Sequence, residues 1–120
     1  MSRIVVYTLA NCDSCRRAVK WLRARGLDFE ERSVRDTPPP VVELRLMLAA
    51  LGGDRRRLCN TAGRDYRGLK LAEKLPGMTD AEALRLLAGN GNLVKRPFLI
   101  GAGVALVGFD EKTWVDTLGK

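Results

Sequence analysis

A short apolar run, Ile4-Val5-Val6-Tyr7-Thr8, leads through a brief loop to Cys12-Asp13-Ser14-Cys15, and that cysteine pair opens a segment with helical patterning. The run has the length of a buried strand. Cys15, Ala18, Val19 and Leu22 recur at i, i+3, i+4 and i+7, which places them on one face of a helix from about Asp13 to Arg25. Gly26 supplies a stop. Leu27 to Val34 predicts a second strand, with Glu30-Glu31-Arg32 as its unusually charged middle. Strand, helix and strand joined by short links form a βαβ unit, in which the strands lie parallel.

Beyond this unit, Pro38-Pro39-Pro40 breaks the chain, and the last proline can start a helix. Val41, Leu44, Leu48 and Leu51 then carry helical spacing up to Gly52-Gly53. A short helix is expected from about Asp65 to Ala72. Thr79-Asp80-Ala81-Glu82 has the form of a capping box ahead of a helix ending at Gly89. After the turn at Asn90-Gly91-Asn92 the period changes. Phe98-Leu99-Ile100 and Val104 to Val107, joined through Gly101-Ala102-Gly103, predict a hairpin, and Asp110 is expected to cap a last helix. The order is βαβ, a helical block, then ββα. It predicts an α/β fold: one domain over 1-120, with a four-stranded mixed sheet and a helical insert subdomain at about 38-92.

Composition narrows the function. The 120 residues suit one domain with its own core. No apolar run is long enough to cross a bilayer, and the N-terminal run is too short for a signal peptide, so a cytoplasmic protein is expected. Histidine is absent, which removes Cys–His and Ser–His–Asp mechanisms. Three cysteines without histidine fall short of a four-ligand zinc site, so no metal is expected. The net charge is +7, which favours anionic partners. The basic residues are scattered, however, with Arg55-Arg56-Arg57 the densest run and no aromatic ladder, so direct nucleic-acid binding is not expected.

The chemistry is expected at the cysteine pair. Cys12 falls where the first strand meets its helix, beside the unpaired N–H groups and the positive end of the helix dipole. A thiolate is favoured there over a thiol, and the thiolate is the nucleophile. Arg16 and Arg17 add positive charge, while Asp13 opposes it. Cys15, one turn on, is placed to resolve a mixed disulfide by attacking the Cys12 sulfur, although its apolar face also suits a plain core residue. Cys59 has no cysteine neighbour in sequence and reads as core; it would be a second resolving thiol only if the insert carried it to Cys12. Further along, Lys95-Arg96-Pro97 precedes the third strand. Such a proline suits a cis peptide opposite the cysteine helix, and Arg96 could offer a fork of donors to an anion near the sulfur. The same residues also fit a surface cation pair and a proline that merely starts an edge strand.

Read together, Asn11-Cys12-Asp13-Ser14-Cys15-Arg16-Arg17-Ala18, Asn60-Thr61-Ala62-Gly63 with Tyr66, Lys74-Leu75-Pro76, Leu93-Val94-Lys95-Arg96-Pro97 and Val107-Gly108-Phe109 make the chain resemble the arsenate reductase family, in the branch that also holds the Spx-type regulators. The resemblance runs from Ile4 to about Leu118. It implies a thioredoxin-like, glutaredoxin-like core with a helical insert. It further implies an arsenate reductase-like thiol oxidoreductase in which Cys12 attacks an oxyanion or thiol substrate and Arg96 supports the anion. Glutathione would be co-substrate, no cofactor would be bound, and glutaredoxin or thioredoxin would restore the thiols. Asn11, Asn60, Arg64, Lys95 and Pro97 are the expected substrate-binding residues around them. Asn60 stands where the reductases carry an arginine six residues before the tyrosine, Ala62 where Spx-type proteins carry theirs, and Val107-Gly108-Phe109 supplies no arginine. The Spx-type alternative is a redox-switched transcription regulator that binds the RNA polymerase α subunit near a glycine of the insert, close to Gly52-Gly53.

Overall fold

The structure, a computed structural model, describes residues 3–119. Strand β1 (Ile4–Thr8) is followed by helix α1 (Asp13–Ala24) and strand β2 (Phe29–Ser33). The insert carries α2 (Val41–Ala50), α3 (Arg64–Gly68), α4 (Leu71–Lys74) and α5 (Asp80–Ala88). The chain closes with β3 (Phe98–Gly101), β4 (Val104–Val107) and α6 (Glu111–Leu118). The strand order is β2-β1-β3-β4. β1 runs parallel to β2, with Val6 opposite Glu31, and antiparallel to β3, with Val6 opposite Leu99. β4 is antiparallel to β3. The four-stranded mixed sheet expected from the sequence is therefore present.

Alternation along the strands gives the sheet two apolar faces. Ile4, Val6, Leu99 and Leu106 pack under Ala18 and Leu22 of α1 and Trp114 of α6. Tyr7, Phe98 and Ile100 point the other way, into Leu44, Met47 and Leu48 of α2 and Leu84 and Leu87 of α5. Each fully buried leucine contributes about 1.5–3 kcal/mol relative to an exposed one. The insert thus completes the second face of the sheet with its own buried side chains.

The charged middle of β2 is compatible with a strand because β2 lies at the sheet edge, where charge discourages further pairing. Arg32 Nε donates to Glu30 at 2.7 Å, and Thr8 Oγ1 donates to Glu31 at 2.7 Å. The buried Tyr7 hydroxyl donates to Glu43 of α2 at 2.7 Å, tying the insert to the sheet.

Two local expectations are corrected. The single helix over 65–72 is two short helices, α3 and α4, broken at Lys70, whose φ of 57° lies in the left-handed region and cannot continue a helix. Asp110 occupies the N-cap position of α6 but makes no capping bond to the backbone; its carboxylate accepts from the Thr113 hydroxyl at 2.6 Å instead. The capping box of α5 forms as expected. Thr79 Oγ1 accepts from the Glu82 N–H at 3.1 Å, and the Glu82 carboxylate accepts from the Thr79 N–H at 2.8 Å.

Candidate functional site

The N-terminus of α1 is built from a turn and a sulfur cap. The Cys12 N–H donates to the Leu9 carbonyl at 3.1 Å, closing the loop after β1. Cys12 is itself the N-cap residue, with extended backbone, and its Sγ accepts from the Cys15 N–H at 3.3 Å. A thiolate there satisfies an N–H that the helix leaves without a partner. The Ser14 hydroxyl lies 3.3 Å from the same sulfur, where it can donate to the anion.

The two thiols are pushed in opposite directions. Partial burial alone would raise the Cys12 pKa. The Cys15 thiol, the Ser14 hydroxyl, the Cys15 N–H and the Arg96 charge together outweigh that penalty, and Cys12 titrates below an ordinary thiol. Cys15 is only 2% exposed. Burial first, and then its bond to Cys12, push it up to about 12. This arrangement favours the thiolate at half-exposed Cys12 while keeping the buried Cys15 thiol protonated.

Of the three cations expected near the sulfur, two are otherwise engaged. Arg16 and Arg17 lie 3.8 and 3.9 Å from the Asp13 carboxylate, so the three side chains largely answer one another at the surface. Arg17 also lies over the Phe109 ring. The guanidinium whose charge acts on the Cys12 sulfur is Arg96. Its Nη2 donates to the carbonyls of Gly91 and Asn92 at 3.2 and 3.0 Å. Half-burial lowers its pKa, yet an arginine stays charged at neutral pH.

That clamp depends on Gly91. A Cβ there would stand 1.7 Å from the Val34 carbonyl oxygen, so only glycine lets this turn press against the end of β2. Asn92 extends the network. Its amide donates to Asp65 at 3.1 Å, and its side-chain oxygen accepts from Arg35 Nε at 2.7 Å. Asn90 donates to the same Asp65 oxygen at 3.1 Å. Asn90 first, and then Asn92, hold Asp65 below the usual carboxylate range.

The expected site residues separate into groups. Cys12 and Cys15 meet at the tip of α1, and Arg96 acts on both through its charge. Asn60 and Arg64 join Arg96, Arg35 and Asn92 around a cleft of about 370 Å³. Lys95 lines a different cavity, with Cys59, Arg56 and Thr61. Asn11 is exposed. Pro97 is buried, and the Arg96–Pro97 peptide is cis. Cys59 is 2% exposed within the core of the insert face; burial pushes its thiol up to about 11. Ser14, Arg35 and Asn92 were not singled out from the sequence. Ser14 carried a signal, since a hydroxyl two residues into a helix capped by cysteine is close to the cap. Arg35 and Asn92 carried none, because 57 positions separate them.

The fold is the thioredoxin-like ArsC fold, shared with an ArsC-family-related protein of Bacteroides fragilis (TM-score 0.87, 36% identity, 95% of this chain and 96% of that one). A possible arsenate reductase of Streptococcus mutans superposes with a TM-score of 0.84 at 32% identity, over 91% of this chain and 92% of that one. The ArsC family model matches residues 7–117, and the chain belongs to that family. Among curated relatives, the uncharacterized protein YusI of Bacillus subtilis is 38% identical over 90% of this chain and 92% of its own length. The global transcriptional regulator Spx of Enterococcus faecalis is 29% identical over 90% of this chain and 80% of its own. Among the described residues, no helix is long and apolar enough to cross a membrane.

Proposed function

We propose that this protein is an arsenate reductase-like thiol oxidoreductase, with Cys12 as nucleophile and Cys15 as resolving thiol. The supporting observation is the pairing at the tip of α1: a half-exposed sulfur with lowered pKa that accepts from Cys15, whose own thiol stays protonated. Toward a disulfide, the Cys12 thiolate attacks one sulfur, forming a mixed disulfide and expelling the other sulfur as a thiolate. Cys15 then loses its proton and attacks the Cys12 sulfur, which releases the remaining substrate thiolate and leaves a Cys12–Cys15 disulfide. Two equivalents of glutathione, with glutaredoxin, or the dithiol of thioredoxin return it to two thiols. Toward arsenate, the thiolate displaces hydroxide from arsenic. Attack of a second thiol on that sulfur leaves the As–S electron pair on arsenic, releasing arsenite and a disulfide. Arg96 supplies the charge that supports the anion in either case.

The test is turnover by the reduced protein with arsenate and with glutathionylated disulfides. One cuvette carries glutathione and glutaredoxin, and a second carries thioredoxin and its reductase. Turnover that disappears in Cys12→Ser supports the reading; no turnover in either system with any of these substrates rejects it.

One observation favours a regulatory reading. Helix α2, which leads to Gly52–Gly53, exposes Val42 (65%) and Leu46 (59%), and the Spx resemblance puts the contact with the RNA polymerase α subunit near those glycines. In that reading the Cys12–Cys15 disulfide changes affinity for the α subunit. Binding that differs between oxidised and reduced protein, and becomes indifferent to oxidant in Cys12→Ser, would select it over the enzyme.

A further inference from the structure

The cleft beside Arg96 and the sulfur of Cys12 are separate places joined by one side chain. Arg35, Arg64 and Arg96 line the cleft together with Asn60 and Asn92, against the single carboxylate of Asp65. None of the three arginines takes part in an ion pair among the described residues. Asp65 is already engaged by Asn90 and Asn92. Both hydrogen bonds of the Arg96 guanidinium leave from Nη2, and its Nε is buried without any acceptor. A buried N–H with no partner is rare in folded proteins, and here it leaves the Arg96 guanidinium with donor capacity that the described residues do not use. Arg35 spends its Nε on Asn92, which leaves its terminal nitrogens without a hydrogen-bond acceptor among the described residues. The cleft therefore offers a surplus of two positive charges and several unspent guanidinium donors to an oxyanionic group.

Neither Cys12 nor Cys15 lines this cleft. An anion held between Arg35 and Arg64 is therefore not the group that the Cys12 sulfur attacks. A free inorganic oxyanion bound there would be stranded from the nucleophile. The cleft makes chemical sense for an anionic group tethered to a reactive sulfur.

We propose that the Arg35–Arg64–Arg96 cleft is an anchoring subsite for the carboxylate of an organic disulfide, holding that end of the substrate to one side while its sulfur is presented to Cys12. This rests on Cys12 acting as a nucleophile toward disulfides, as argued above, and adds the substrate class. The protein selects carboxylate-bearing disulfides over neutral ones, and Arg35 and Arg64 set that preference.

The experiment compares two small disulfides, 3,3′-dithiodipropionate, which carries carboxylates, and neutral hydroxyethyl disulfide. The rate of mixed-disulfide formation at Cys12 is followed by mass spectrometry at low salt, with a small free thiol as the reference nucleophile. Relative to that reference, the protein favours the carboxylate probe by about tenfold or more, the size expected for one charge-assisted contact. The preference collapses in Arg35→Ala/Arg64→Ala, returns in large part in Arg35→Lys/Arg64→Lys, and weakens as salt rises. Equal relative rates on the two probes, or a preference that survives the double alanine variant, overturns the anchor while leaving thiol chemistry at Cys12 standing. Should Cys12 attack neither probe, the redox reading fails. The anchor is then decided by titrating the unreactive thioether 3,3′-thiodipropionate and following the Asn60 and Asn92 side-chain amides by NMR. Shifts that vanish in the alanine variant support the anchor, and unmoved amides overturn it.

Discussion

The main-chain N–H of Cys15 donates to the Cys12 sulfur across 3.3 Å, so the residue that would later attack this sulfur also helps hold it as an anion. Cys12 is shifted below the ordinary thiol range while Cys15 is pushed up to about 12. With limiting iodoacetamide at pH 7, Cys12 alone is alkylated, and its rate levels off at a pH below that of a free cysteine. Peptide mapping by mass spectrometry reads both. Comparable early labelling at Cys15 or Cys59 would contradict the arrangement.

The Ser14 hydroxyl lies 3.3 Å from the Cys12 sulfur. Ser14→Ala removes a donor to the thiolate while keeping a good helix former. For a half-exposed site the midpoint of alkylation against pH moves up by about 0.5–1 pH unit, less than a fully buried charged hydrogen bond would give. The rate at pH 7 falls accordingly, and the thermal midpoint stays close to wild type.

Arg96 acts on the sulfur by charge and on the Asn90–Asn92 turn by two hydrogen bonds. Arg96→Met removes both, raising the Cys12 midpoint and slowing its reaction at neutral pH. Arg96→Lys keeps the charge on a point ammonium that lacks the guanidinium fork, so it recovers part of the reactivity. A methionine variant with the wild-type pH profile would show that Arg96 plays no part at the sulfur.

The buried thiols contribute to the alkaline stability, with the same sign as the buried Tyr7 hydroxyl, which is pushed up to about 12. The folded-state pKa values of Cys15 and Cys59, about 12 and about 11, lie above the unfolded values, so the folded chain keeps protons that the unfolded chain releases. Their contribution is whole below about pH 8.5 and is lost as pH rises toward the folded values, at up to about 1.4 kcal/mol per pH unit for each thiol. Cys12 has the opposite sign: its contribution is present above its unfolded pKa and is lost as pH falls through its lowered folded one. Well above the unfolded thiol pKa its contribution no longer changes with pH. Urea unfolding under reductant therefore shows falling stability as pH rises toward the folded values, with a shallower fall in Cys59→Ala. A flat profile would contradict the burial of both thiols.

Gly91 is where the site is most vulnerable to a single methyl. Gly91→Ala puts a carbon into the Val34 carbonyl, and overpacking of this kind costs about 1–3 kcal/mol or more. Because the Gly91 carbonyl also accepts from Arg96, the variant shifts the Cys12 midpoint as well as the unfolding midpoint. Stability loss without any change at Cys12 would separate the turn from the sulfur.

Much of this molecule was readable along the chain because the relevant forces act locally. The four apolar positions of α1, its start at the cysteine pair, the Thr79–Glu82 box and the hairpin around Ala102 all follow from periodicity and short-range hydrogen bonds. Gly68, the last residue of α3, was the one signal for the break near Lys70; that a lysine takes the left-handed conformation there was not readable, because its surroundings choose it. Of the cations expected near Cys12, Arg96 acts on the sulfur, while Arg16 and Arg17 were over-read for a related reason. Arg16 and Arg17 are neighbours in sequence, but Asp13 on the same helix face reaches them first.

The order of strands and helices, the placement of Cys12 at a helix start and the apolar burial of Cys15 were dictated by residue pattern, since side chains a few positions apart on one helix have no choice of neighbour. Which of the expected cations acts on the sulfur, and which residues enclose the arginine-lined cleft, were settled only when Val34, Gly91 and Asn92 met in space. Contacts between segments so far apart depend on backbone approach and shape, for which no spacing rule exists.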